Sequence, residues 1–199
     1  MMRKKLTKLL TLMLAVFLAF SCANVASGSN VAVAQSKSTQ AKKAYAKKLS
    51  KMSKKVDFTI ANLNKDSIPE LIMSSDNEYH TDIYSYVNGK VKLIAQGYAG
   101  TLKYYPSKNL IYSDTYHAGK LVTYTKFDGK KSTVVAVESA EEKEPGIYKA
   151  STYKVKGKVT TKKKYNAYVK QLKGNAKSLK VKLVANTAKN RLKKLGYKK

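Results

Sequence analysis

Side chains carrying oxygen recur at alternate positions in the run Val56–Ser74, VDFTIANLNKDSIPELIMS: Asn62, Asn64 and Asp66, with Glu70 four residues on. A tight loop between two strands lets that spacing aim several oxygens at one point. Two chemistries follow from it. In one, the oxygens accept hydrogen bonds from the loop's own amides, as in an Asx turn. In the other they surround a hard cation. Asn62, Asn64 and Asp66 would ligate through their side chains, Ile68 through its carbonyl and Glu70 through its carboxylate, a set suited to calcium in the weak range of extracellular modules. The pattern is not an EF-hand, because the twelfth position counted from Asn62 is Met73 rather than Glu.

A second alternating group is Asp76, Glu78, His80 and Asp82. A strand would put all four on one face, as a metal or acid–base site. The other reading is a solvated connection between strands. His117, close to Gly119, reads as a turn residue. Signatures of catalysis are missing from the chain: it contains no G-x-S-x-G elbow, no H-E-x-x-H pair and no phosphate-cradling glycine loop. No pair of carboxylates is singled out for hydrolysis. The expectation is a non-catalytic protein.

The elements that position these residues follow from patterning. Residues 35–55 are rich in lysine, and Ala41, Tyr45, Leu49 and Met52 recur in them at helical spacing, which predicts a short helix with one narrow apolar stripe. Alternating runs then appear at 83–87, 90–94, 110–112, 121–124 and 133–137, rich in tyrosine and β-branched residues. Asn88-Gly89 supplies the positive-φ pair of a two-residue hairpin turn, and turns are also expected at Gly119 and at Asp128-Gly129. Glu138–Glu144 reads as an acidic loop, and residues 147–155 as the last strand. Thr160 or Thr161 can cap a helix through Leu172 in which Tyr165, Val169 and Leu172 share a face, and Gly174 stops it. Another helix should start near Asn186-Thr187 and turn Leu192 and Leu195 inward. The fold class expected is α+β and mainly antiparallel β: a meander of seven or eight strands with one N-terminal and two short C-terminal helices.

Ahead of this domain, Arg3, Lys4, Lys5 and Lys8 precede an apolar run from Leu9 to Phe20. A charged segment before so short an apolar one reads as a signal peptide, too short to span a bilayer. The division expected is a signal over residues 1–22, with cleavage as late as 34, a lysine-rich leader helix over 35–55, and one β-meander domain over 56–199. Cys22 is the only cysteine and follows the apolar run directly, so it is either the lipid-bearing first residue of a lipoprotein or part of a discarded signal. An internal disulfide is excluded in both cases.

The formal charge is +28, or +24 without the four basic residues of the signal. Arg3 and Arg191 are the only arginines, and no acidic residue occurs from Lys149 to Lys199. Lysine attracts anions as a hydrated point charge, whereas base reading and bidentate phosphate recognition favour arginine. The charge therefore implies non-specific affinity for polyanions and argues against sequence-specific nucleic-acid binding. Candidate contacts are Lys162, Lys163, Lys164, Lys170, Lys173, Arg191, Lys193 and Lys194, and the candidate partners are anionic cell-wall polymers or lipid headgroups.

The order of features is also similar to that of a group of uncharacterised secreted proteins and lipoproteins of Gram-positive gut bacteria. The resemblance is carried by F-x-I-x-N-L-N-K-D-S-I-P-E-L-I (58–72), IYSYVNGKVKLI (83–94), TTKKKYNAYVKQL (160–172) and NTAKNRLKKL (186–195). In that group the central run reads D-[IL]-[DN]-x-D-G-x-P-E-L, which in turn resembles the calcium-loop repeats of FG-GAP and VCBS-type surface proteins. Here Asn62 stands at the first Asp and Ser67 at the Gly. The resemblance implies an exported, cell-surface location and a calcium-type loop, and it implies no particular activity. The function expected is thus an exported, envelope-associated, non-catalytic protein that binds anionic surface polymers. The alternative is a surface hydrolase or inhibitor acting on an unknown polymer.

Overall fold

A computed structural model describes residues 37–74, 80–98, 101–116 and 119–197. Residues 38–199 form one unit, and residues 1–36, with the expected signal and Cys22, lie outside the described residues. The chain is α+β with antiparallel sheets, one helix at the N-terminal side and two at the C-terminal side, as its patterning predicts. The meander is divided between two sheets. The smaller has the order β13-β1-β2-β3-β4 and the larger β11-β10-β8-β7-β6-β5-β12, with β9 also paired to β8. In chain order the strands are β1 Asp57–Ala61, β2 Glu70–Ser74, β3 His80–Val87, β4 Lys90–Tyr98, β5 Leu102–Tyr105, β6 Leu110–Thr115, β7 Gly119–Phe127, β8 Ser132–Glu144, β9 Ile147–Tyr148, β10 Thr152–Val155, β11 Lys158–Thr160, β12 Leu179–Lys180 and β13 Val184–Ala185.

Alternation along each strand separates three apolar layers. On the outside of the smaller sheet, helix α1 (37–49) buries Ala41, Tyr45 and Leu49, three of the four stripe residues, against Phe58, Leu71 and Met73. Met52 lies just beyond the helix and packs at the edge of the same cluster. Between the sheets, Leu63, Ile72 and Ile83 meet Ile111 and Phe127. On the outside of the larger sheet, helix α2 (Lys162–Lys173) buries Tyr165 and Val169 against Leu110, Val122, Tyr124 and Ala136. Helix α3 (Ala188–Leu195) returns to the first layer through Leu195. The order through the molecule is therefore α1 with α3, smaller sheet, larger sheet, α2. Thr161 and Thr187 cap the two C-terminal helices, accepting from the amides of Lys164 and Asn190. No helix among the described residues is long and apolar enough to cross a membrane.

The structure corrects several local readings. Glu138–Glu144 is the second half of strand β8, because its side chains alternate against β7 and β10 with Glu138 opposite Val122 and Tyr153. Acidic residues sit there at little cost, since Lys120 and Lys149 pair with Glu138 and Glu141. The expected last strand is two strands, and a third follows after Lys156-Gly157, both at positive φ (49° and 77°) as a two-residue hairpin turn requires. Leu192 points outward, and Leu195 alone of that pair is buried. The segment between α2 and α3 supplies β12 to the edge of the larger sheet and β13 to the edge of the smaller one.

That strap ends on Asn186, which is 1% exposed and donates from Nδ2 to the carbonyls of Leu49 (2.8 Å) and Ser53 (3.2 Å) at the end of α1. Its Oδ1 accepts from Arg191 Nη1 at 2.8 Å. Replacing Asn186 by Ala strips partners from a buried carbonyl and loosens both helices at once. We expect Asn186→Ala to cost roughly 2–3 kcal/mol in urea unfolding, with the slope unchanged. A loss within a few tenths would show that the strap is held by β13 alone.

Candidate functional site

The loop between β1 and β2 is built by two successive Asx turns. Asn64 Oδ1 accepts from the Asp66 amide (2.9 Å), and Asp66 Oδ1 accepts from the Ile68 amide (2.8 Å). Asn64 Nδ2 donates to Asp66 Oδ2 at 2.9 Å, joining the two side chains. Both rest on Gly129 in the turn between β7 and β8. Gly129 has φ +90°, and a Cβ there would come within 2.8 Å of Asn64 Nδ2 and 2.9 Å of Asp66 Oδ2. Glycine is needed at 129 both for the backbone and for the approach of the loop.

Glu70 takes a different direction. As the first residue of β2 it shares a face with Ile72, so it enters the space between the sheets and is wholly buried. Its Oε2 accepts from the Leu63 amide at 2.9 Å. Its Oε1 lies 3.4 Å from Ser85 Oγ, and Ser85 Oγ lies 2.9 Å from the Gly129 carbonyl. A carbonyl can only accept, so the single hydroxyl hydrogen of Ser85 goes to Gly129. Glu70 then bonds Ser85 only if Glu70 itself carries a proton. Burial pushes the Glu70 carboxyl up to about 8, the Asp66 carboxylate nearby adds to this, and the Leu63 amide opposes it. From the helix side, Tyr45 donates to the Pro69 carbonyl at 2.9 Å. The same burial, with Glu70 next in importance, raises the Tyr45 phenol above its ordinary value.

The five residues that the spacing groups as a cation set are therefore split. Asn64 and Asp66 come together and spend their oxygens on amides, Ile68 gives its amide to Asp66 and packs against the α1 cluster, Asn62 is exposed, and Glu70 turns inward to Leu63 and Ser85. Among the described residues no group of three or more His, Cys, Asp or Glu is placed to hold a metal. In the other alternating group, Asp82 accepts from Tyr84 (3.0 Å) and Gln96 (2.9 Å), and His80 opens β3 opposite Tyr98. Asp76, Glu78 and His117 lie outside the described residues.

The basic residues also divide. Lys162, Lys163, Lys164 and Lys170 are exposed on α2, outside the larger sheet. Lys173 is half-buried, with Nζ 5.9 Å from the centre of the Tyr124 ring. Lys193, Lys194 and Arg191 belong to α3, outside the smaller sheet, so the two sets face opposite sides. Arg191 bonds both oxygens of Asn186, which makes it a structural residue of the α1–α3 junction. The role of Glu70 was missed in the sequence, although period-two alternation from Ile72 back to 70 points it away from solvent.

Comparison with protein-family models, with curated proteins and with solved structures gives no match.

Glu70 generates a pH prediction. Below pH 4.5 its carboxyl is neutral in both folded and unfolded chains. Between 4.5 and about 8 the unfolded chain has released the proton while the folded chain keeps it. The stability tied to neutral Glu70 is thus full below pH 4.5, declines through this window and is lost above about pH 8. Glu70→Gln should remove this decline, a difference on the order of a few kcal/mol between the ends of the window. Parallel unfolding profiles for the two proteins from acid to alkaline pH would refute a neutral buried Glu70.

Proposed function

We propose that the protein is an exported, envelope-associated binding protein, of the kind its central run resembles, and that α2 holds it on an anionic surface polymer. One observation carries the reading: Lys162, Lys163 and Lys164 crowd the first turn of α2, which has no acidic residue. The N-terminus of a helix carries positive partial charge, so cations there destabilise it by roughly 0.3–1 kcal/mol each. Acids would be the stabilising choice. A polyanion seated on this turn removes the repulsion and gains from the exposed amides as well. Among the described residues no lysine of α2 enters an ion pair, whereas Lys120 and Lys149 do. The non-catalytic reading is supported by the dispersal of the acids: Glu70 between the sheets, Asp82 bonded to Tyr84 and Gln96, and Glu138 and Glu141 paired with lysines.

Retention on a column of anionic wall polymer should fall steeply from low to high salt, as each lysine contact releases counterions. The triple change Lys162→Gln, Lys163→Gln and Lys164→Gln should lower retention and, in the free protein, raise stability by roughly 1 kcal/mol. Salt-independent retention, or retention unaffected by the triple change, would refute an electrostatic site on α2.

A further inference from the structure

The larger sheet reaches further than the smaller one covers, and the uncovered part forms a cleft. Register places Thr115 opposite Leu121, Leu121 opposite Ser139, and Ser139 opposite Thr152. These four residues make one transverse row over β6, β7, β8 and β10. Their face is the one that carries Ile111 and Phe127 toward the smaller sheet, since alternate residues of a strand share a face. One rung inward, Ser113 and Thr123 bond each other through their hydroxyls at 2.8 Å. Gly97 of β4 approaches that rung so closely that a Cβ on it would lie 3.4 Å from Ser113. The row of Thr115 and Leu121 lies past this contact.

An open cleft of about 570 Å³ sits on the row, within the range typical of small-ligand sites. Gly119 lines one end of it. A Cβ there would strike the Ala140 carbonyl at 2.8 Å, so the close approach of β7 and β8 requires glycine. The charged residues lining the cleft are all paired: Lys149 with Glu141, and Lys120 with Glu138. On a chain of formal charge +28, this concavity is locally compensated.

We propose that the cleft binds a neutral oligosaccharide laid across β7, β8 and β10. Ser139 and Thr152 present hydroxyls, which both donate and accept, as the hydroxyls of a sugar do, while Thr115 is buried and closes the end of the row. Leu121 offers an apolar patch to the C–H face of a ring. The two interstrand steps of about 4.8 Å from Leu121 to Thr152 give ~10 Å, the scale of a short oligosaccharide. Each lysine of the cleft has a glutamate beside it, so the cleft offers a polyanion less net charge than the first turn of α2, which has no acidic residue. The inference does not depend on the polyanion reading.

Amide chemical shifts of the isotope-labelled protein, titrated separately with chitotriose, cellotriose and maltotriose at low and high salt, test it. The expected result is saturable movement of the signals of Thr115, Leu121, Ser139 and Thr152 with at least one trisaccharide, unchanged by salt. The double change Ser139→Ala and Thr152→Val should weaken that binding about tenfold or more through lost hydrogen bonds, while leaving retention on the anionic polymer intact. The proposal is overturned if none of the three sugars moves these signals, if an anionic polymer alone moves them in a salt-sensitive way, or if the double variant binds sugar as tightly. The titration of the unsubstituted protein decides the first two outcomes whatever the variant does.

Discussion

A carboxyl buried between two sheets needs its partners in place before the sheets can close. Glu70 reaches Leu63 in its own loop and Ser85 on β3, and Ser85 reaches Gly129 in the turn between β7 and β8. Tyr45 fixes the preceding carbonyl from α1. One short loop thereby touches the helix, both sheets and the turn of the opposing sheet. An unpartnered polar group at this depth would cost on the order of 1–3 kcal/mol. Misregister of β2 by one residue would leave Glu70 on the helix face and Leu71 between the sheets, so the same group that costs desolvation also fixes the register. The rest of this interface follows its example. Thr59, Thr81, Ser85, Ser113 and Thr125 are buried, and among the described residues no buried side-chain nitrogen or oxygen lacks a partner. Small hydroxylated residues let two sheets come close where larger apolar ones would hold them apart.

The edges of the sheets are treated differently from their centres. β12 and β13 are two residues each and come from a single segment, so one strap covers an edge strand on each sheet. It is locked by the Val181 amide on Leu102 and the Asn186 amide on Val56. The opposite edges are β11, which is short and starts with Lys158, and β4, which begins with Lys90 and carries Lys92. Brief strands and lysines are common devices against edge-to-edge association. Part of the cationic charge therefore has a structural use that requires no ligand.

The legible part of this fold was the part governed by local periodicity. The α1 stripe, the Asn88-Gly89 turn, the threonine cap of α2 and the stop at Gly174 each depend on residues close in sequence, and each is found. What was hidden depends on distant pairing. Val184-Ala185 is too short to announce a strand, and it is one only because β1 lies beside it. Glu138–Glu144 looks like a loop by charge but is held as a strand by neighbours on both sides. In the central loop the alternation of Asn62, Asn64 and Asp66 was visible. Its division into amide-binding turns and an inward Glu70 required knowing that Gly129 and Ser85 lie against it.

The distribution of charge separates two kinds of lysine. Lys120 and Lys149 are tied to glutamates on one strand, and Lys48 lies 4.1 Å from the centre of the Tyr84 ring. These contribute to local order and leave little field beyond the surface. The lysines of the first turn of α2 do the reverse, since they weaken their own helix terminus. Proteins depart from local rules most often where the site serves a partner. A surface charge retained against its own helix dipole is thus a better pointer to binding than the total of +28, which solubility alone would also favour. The same comparison sets the cleft apart: each of its lysines has a glutamate of β8 beside it, so its charge is balanced locally where that of the first turn of α2 is not.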